Sequence, residues 1–251
     1  STTISVPRPD CSDDEFFVAV QTDLCKMGGI GGLDGLFPTG ARFSVTTDAG
    51  NDVDASYFDI EFQGSSLLTG LTIDGYCVDV GHTITTGTLY DGTVYTHLDP
   101  SLIGTNIDKP ENMDEVAWLI NNYVPGVEYS EDISGSGDSV TYLMESGTIQ
   151  RAIWYIIDYT LSTSSLGSFD DDWAQFLSNK ALVEGNGFSP GCGELFPLVL
   201  VPDIDTTQHL IVEATWQGVK VPCEDICETT SIALADNCTS SSEQPSQTPS
   251  P

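Results

Sequence analysis

Residues 41–80 alternate apolar and polar side chains in short runs, and the middle of the chain then switches to helical spacing before strands return. That order constrains the fold more than any other feature. Ala41-Arg-Phe-Ser-Val-Thr-Thr, Tyr57-Phe-Asp-Ile-Glu-Phe and Leu71-Thr-Ile-Asp-Gly-Tyr-Cys-Val-Asp-Val each read as half-buried strands. Tyr90-Asp91-Gly92-Thr93 carries the Asp-Gly signal of a tight hairpin. Three helical stretches follow. Met113 to Tyr123 stops at Pro125-Gly126; Gly147 to about Tyr159 is capped by Ser146 and keeps Ile149, Ile153, Ile156 and Ile157 on one side; and a third begins at Asp170-Asp171-Asp172, acids that suit a helix N-terminus. Strands resume at Leu195–Val201 and His209–Trp216.

The pattern predicts a mainly β fold, a β-sandwich or open barrel with an inserted helical subdomain and disulfide-stapled termini. Three regions are expected. Residues 1–34 form an N-terminal extension, 35–221 the β domain with its helical insertion at about 110–185, and 222–251 a tail. The last thirteen residues of that tail are almost wholly Ser, Thr, Pro and Gln, the composition of a linker or an O-glycosylated stalk. Thr239, Ser240, Ser241, Ser242, Ser246, Thr248 and Ser250 are candidate O-glycosylation sites. Asn237-Cys238-Thr239 matches the N-glycosylation sequon.

Seven cysteines sort the chain further. Cys11, Cys25, Cys192, Cys223, Cys227 and Cys238 lie towards the ends and are disulfide candidates, with fifteen connectivities open to them. Cys223 and Cys227 lack the second close pair or spaced histidines of a zinc site. Disulfides imply an oxidising compartment. The opening Ser-Thr-Thr-Ile-Ser, without Met or an apolar leader, is read as a mature form after signal-peptide removal. The protein is therefore expected outside the cell, secreted or on its surface.

Charge narrows the partners. The 251 residues include 38 acidic and 7 basic side chains, a formal net charge of −31. Such a surface gains nothing from releasing counterions of a nucleic acid, and anionic membranes repel it. No run approaches the roughly 20 apolar residues of a membrane span. Asp48, Asn51, Asp52 and Asp54 cluster oxygens in a loop and are candidate calcium ligands, although a polar turn explains them as well. No organic cofactor is implied.

The chemistry-bearing residues are Cys77, alone in the middle of the chain, and Gln150, early in an apolar helix. A thiol and a carboxamide brought together in a dry site can condense with loss of ammonia, leaving an internal thioester. A cysteine hydrolase would instead need a histidine beside Cys77. His82, His97 and His209 are the candidates, and none lies in a recognised local signature. With 38 acids, paired carboxylates carry no signal for glycoside cleavage.

Two strings, Tyr76-Cys77-Val78 and Ile149-Gln150-Arg151-Ala152-Ile153-Trp154, together with the helix Ala117-Trp118-Leu119-Ile120-Asn121-Asn122-Tyr123, resemble the thioester domains of bacterial surface adhesins. The likeness spans roughly residues 41 to 217. It implies that Cys77 faces Gln150 between the sheet and the helices, with Tyr76, Ile153 and Trp154 as an apolar shell. A partner's lysine amine would attack the thioester, free the thiol and leave an isopeptide bond to Gln150. That is single-turnover chemistry, not enzymic turnover. Read from the sequence, the protein is a non-enzymatic structural or adhesive surface protein, a glycosylated subunit of an extracellular assembly or filament whose partners are copies of itself or other extracellular proteins. The covalent adhesin and a calcium-assisted binding module are the alternatives.

Overall fold

Among the described residues, six antiparallel strands close into a barrel. The computed structural model describes residues 36–47, 57–64, 68–158, 166–191 and 194–214. The strands are β1 (Thr39–Thr47), β2 (Phe58–Gln63), β3 (Thr72–Cys77), β4 (Leu89–Thr96), β7 (Phe196–Pro202) and β8 (Leu210–Ala214), and they follow one another around the barrel as β1-β2-β3-β8-β7-β4. Between β4 and β7 come helices α1 (Met113–Asn122), α2 (Ser146–Ile157) and α3 (Asp171–Glu184), and a ribbon of β5 (Glu128–Glu131) and β6 (Val140–Leu143). The mainly β expectation holds. The sheet is neither a sandwich nor open, because β1 pairs with β2 along one edge and with β4 along the other.

Two cores explain the strand patterns. The barrel interior holds Phe43, Val45, Ile60, Phe62, Val94, Leu198, Leu200, Leu210 and Val212. A second core lies between the barrel wall and the helices, and takes Tyr76, Val78, Val199 and Ile211 from the β3-β8-β7 side. Strands β2 and β4 bury one face and alternate. Strand β7 is covered on both faces and so reads as the unbroken run Phe-Pro-Leu-Val-Leu-Val-Pro.

Several local expectations are corrected. Asp91-Gly92 is no turn: it lies within β4, where Gly92 faces Val201 and Pro202 of β7 and an added Cβ would meet the Val201 carbonyl at 2.6 Å. Ser146 is the first residue of α2, not its cap; Glu145 holds that position without a side-chain cap bond. Asp170 does cap α3, accepting from the Trp173 backbone N–H at 3.0 Å. The cysteines 11, 25, 192, 223, 227 and 238, the glycosylation candidates, the calcium candidates Asp48, Asn51, Asp52 and Asp54, and the N-terminal extension all lie outside the described residues.

Helix α2 positions the site. Ile149, Ala152, Ile153 and Ile156 are fully buried in the second core, and burying each large aliphatic side chain stabilises by about 1.5–3 kcal/mol. Its first turn is packed tightly: Gly147 lies so close to the carbonyls of Leu166 and Ser168 that no side chain fits. Thr148 Oγ1 accepts from the Asp170 backbone N–H at 2.9 Å. Arg151 Nε donates to Asp171 at 3.0 Å, and Tyr155 OH joins the same carboxylate at 2.9 Å. These contacts lock α2 to α3 and leave Gln150 a fixed reach.

Candidate functional site

Strand β3 loses its neighbour before it ends. Its pairing with β2 stops at Gly75 opposite Phe58, whereas pairing with β8 continues to Cys77 opposite Leu210. The backbone N–H and C=O of Cys77 on the β2 side would otherwise go unpaired in a buried place, at a cost of about 1–3 kcal/mol each. Gln150 takes the place of the missing strand. Its Oε1 accepts from the Cys77 N–H at 2.7 Å, and its Nε2 donates to the Cys77 carbonyl at 2.8 Å. Gln150 is fully buried and Cys77 is 1% exposed.

The shell residues divide between the two cores. Trp154, one helical turn after Gln150, shares the barrel core with Cys77. Tyr76 and Ile153 belong to the second core, as the alternation of strand side chains requires for a neighbour of Cys77. Tyr76 stacks at a tilt on Tyr57, ring centroids 4.7 Å apart. The Tyr76 hydroxyl and the Trp154 indole N–H are buried without hydrogen-bond partners among the described residues.

Electrostatics keep the thiol neutral. Burial, then the nearby negative charge of Asp79, pushes the Cys77 thiol far above its usual range. A neutral thiol is a weak nucleophile and, once acylated, its thiolate is a poor leaving group. The Cys77 N–H meanwhile lies at a distance suited to stabilising negative charge on the Gln150 carbonyl oxygen during attack at the adjacent carbon. Condensation of the two side chains would bond the thiol sulfur to the Gln150 carboxamide carbon as the C–N bond breaks. The thiol proton then leaves with ammonia.

Sequence reasoning named His82 and His209 as histidines that could stand beside Cys77 but missed Asp79, the acid that joins them. Asp79 is 2% exposed; its Oδ2 lies 2.7 Å from His82 Nδ1 and 3.4 Å from His209 Nδ1, and its Oδ1 accepts from the Gly81 N–H at 2.9 Å. Burial alone would raise the Asp79 carboxyl, but the imidazoles of His209 and His82 outweigh it and hold the group below the usual carboxylate range. A bridge between Thr83 and Thr207 ties the two histidine-bearing segments together. The signal available was an acid two residues after the cysteine, in Cys77-Val78-Asp79. His97, the third histidine, lies elsewhere, its Nδ1 3.3 Å from the Pro197 carbonyl oxygen. Among the described residues no group of three or more His, Cys, Asp or Glu is arranged to hold a metal ion, and no helix is long and apolar enough to cross a membrane.

Comparison with known proteins agrees with the family read from the sequence. The thioester-domain family model matches residues 74–183, a span that contains both Cys77 and Gln150. No curated protein matches the chain. Among solved structures, the N-terminal domain of the Streptococcus pyogenes pilus tip adhesin Cpa is similar at 14% identity and a TM-score of 0.41, covering 84% of this chain and 100% of that one. The N-terminal thioester domain of a surface protein from Clostridium perfringens is similar at 19% identity and 0.44, over 70% and 98%. That of the fibronectin-binding protein SfbI from Streptococcus pyogenes stands at 12% and 0.41, over 74% and 95%.

Proposed function

Starting from the thioester-domain match over residues 74–183, we propose that this chain is an extracellular adhesive module that captures a partner covalently. Its Cys77–Gln150 pair would close into a thioester and then acylate a primary amine, such as a lysine side chain. The observation that carries the reading is the reciprocal hydrogen bonding of the Gln150 carboxamide to the backbone of Cys77, with both residues sealed from solvent. Each site reacts once, so the protein consumes itself and is no enzyme. Net charge favours a basic partner surface, because long-range attraction raises encounter rates. The reading as an assembly subunit draws on the N-terminal extension and the Ser/Thr/Pro tail, which lie outside the described residues. The site geometry therefore favours capture.

Intact and peptide mass spectrometry with and without methylamine tests the reading. A deficit of about 17 Da joining the Cys77 and Gln150 peptides, replaced by methylamine addition and a free thiol, supports it. A chain of full mass with an alkylatable Cys77 refutes it.

A further inference from the structure

The site as described lacks a route for its proton. When the thiol condenses with Gln150, a proton must leave sulfur. When an amine opens the thioester, the N–C bond forms, the C–S bond breaks and one proton must pass from the amine nitrogen to sulfur. Burial and the Asp79 charge disfavour a free Cys77 thiolate, so the second step needs proton delivery as the bond breaks. Catalysis by a positioned proton donor or acceptor is worth about 10²–10⁴-fold.

We propose that Asp79, His82 and His209 form the proton relay of the Cys77–Gln150 site, an inference that rests on the thioester reading above. The chain remains extended past Cys77, since the Val78 N–H still donates to the His209 carbonyl at 3.0 Å. Residues two apart on an extended segment share a face, which puts Asp79 on the same side as the thiol. His209 immediately precedes Leu210, the cross-strand partner of Cys77. It is 3% exposed, and its Nδ1 has no hydrogen-bond partner among the described residues, with only the Asp79 carboxylate at 3.4 Å to balance a charge. A buried imidazole held against a carboxylate in this way has two nitrogens between which a proton can be passed on. His82 supplies the outer end: its side chain is 31% exposed while its Nδ1 rests 2.7 Å from the same carboxylate oxygen. The three groups thus run from solvent to the interior beside the thiol. Asp79 is the positioning residue, anchored by the Gly81 N–H on its side chain and by Gln208 Nε2 on its carbonyl at 2.7 Å. The other charged groups facing this turn are Asp158, whose Oδ2 accepts from the Val80 N–H at 3.3 Å, and Lys109, whose Nζ reaches the Asp158 carbonyl at 3.5 Å.

The test uses methoxyamine, whose nitrogen stays unprotonated from neutral pH down through pH values where hydroxylamine or methylamine would already be protonated, so that the pH dependence of capture reports the protein. Capture rates are followed by mass for the wild type, His82→Gln and Asp79→Asn. His82→Gln is expected to lower the neutral-pH rate about 10²-fold and to change the pH profile of capture, which a merely structural role would not move. Its thioester content, measured as the mass deficit, stays visible after long incubation. Asp79→Asn behaves likewise if it folds, judged by its tryptophan fluorescence; if it does not, the half-exposed His82 decides the matter alone. Wild-type rates and pH dependence in His82→Gln overturn the relay while leaving the thioester standing. A wild-type chain with no mass deficit removes the thioester reading and the relay with it.

Discussion

The carboxamide of Gln150 replaces a missing strand, and the stability it supplies can be isolated from any thioester. The perturbation is Gln150→Met in a Cys77→Ala background, where no covalent bond can form. Methionine nearly preserves volume, so a cavity contributes little. Both hydrogen bonds persist in Cys77→Ala, because neither depends on the side chain there, and both are lost when methionine replaces the Gln150 carboxamide. The fully buried site leaves an N–H and a C=O orphaned at about 1–3 kcal/mol each, so about 2–6 kcal/mol in total. The more favourable transfer of an apolar side chain offsets about 1 kcal/mol of this, leaving a loss of about 3 kcal/mol. For a chain of this size that lowers Tm by about 6–12 °C. Urea denaturation followed by tryptophan fluorescence, with Trp154 one turn from the substitution, measures it. A loss below about 1 kcal/mol with an unchanged m-value refutes the reasoning, since Gln150 would then not complete the ladder.

Two further predictions concern pH. Glu213 accepts from Tyr57 OH at 3.0 Å, and its carboxyl is raised from 4.5 to about 7, by burial first and then by the charge of Asp74, against the opposing bond from Tyr57. The stability linked to this group is complete below 4.5 and is lost as pH rises through 7. Glu213→Gln should flatten that fall in urea midpoints between pH 4.5 and about 7, although Glu115, also raised to about 7, keeps part of it. His97 has the opposite sign. Burial lowers it from 6.5 to about 4, so its stability is complete above 6.5 and lost as pH falls towards 4. His97→Gln should make the midpoint less sensitive over that lower window.

What could be read from the sequence depended on how local its cause was. Strands β2 and β4 bury one face, so their alternation was visible; β7 is buried on both faces, and its unbroken apolar run was legible by the same logic. Gly92 misled because the reason for glycine is a close approach to β7, about a hundred residues away in sequence. The ribbon β5–β6 escaped notice because its strands have only four residues each and bury little. At the site, Cys77 and Gln150 stood out because their side chains carry distinctive chemistry. His82 and His209 could be named only as isolated histidines, and Asp79 not at all, because only the closure of β8 onto β3 and the Thr83–Thr207 bridge bring the three together.

The fold accounts for Gln150 but not for Cys77. A side chain able to both accept and donate is needed where β2 stops, and glutamine on α2 meets that need through backbone atoms alone. Any small apolar residue at position 77 would keep those bonds and fill the same place in the barrel core. Cysteine is therefore the part of the arrangement that stability does not demand, and it is where function can be separated from structure. Cys77→Ala removes one buried sulfur, which costs about 1 kcal/mol on the scale of deleted core methyl groups, and it should abolish methylamine incorporation at Gln150 altogether. Calorimetry on the folded variant beside mass spectrometry of the amine-treated chain measures the two effects separately. Undiminished amine uptake at Gln150 in Cys77→Ala would show that the carboxamide is modified by another route, and would end the case for a thioester.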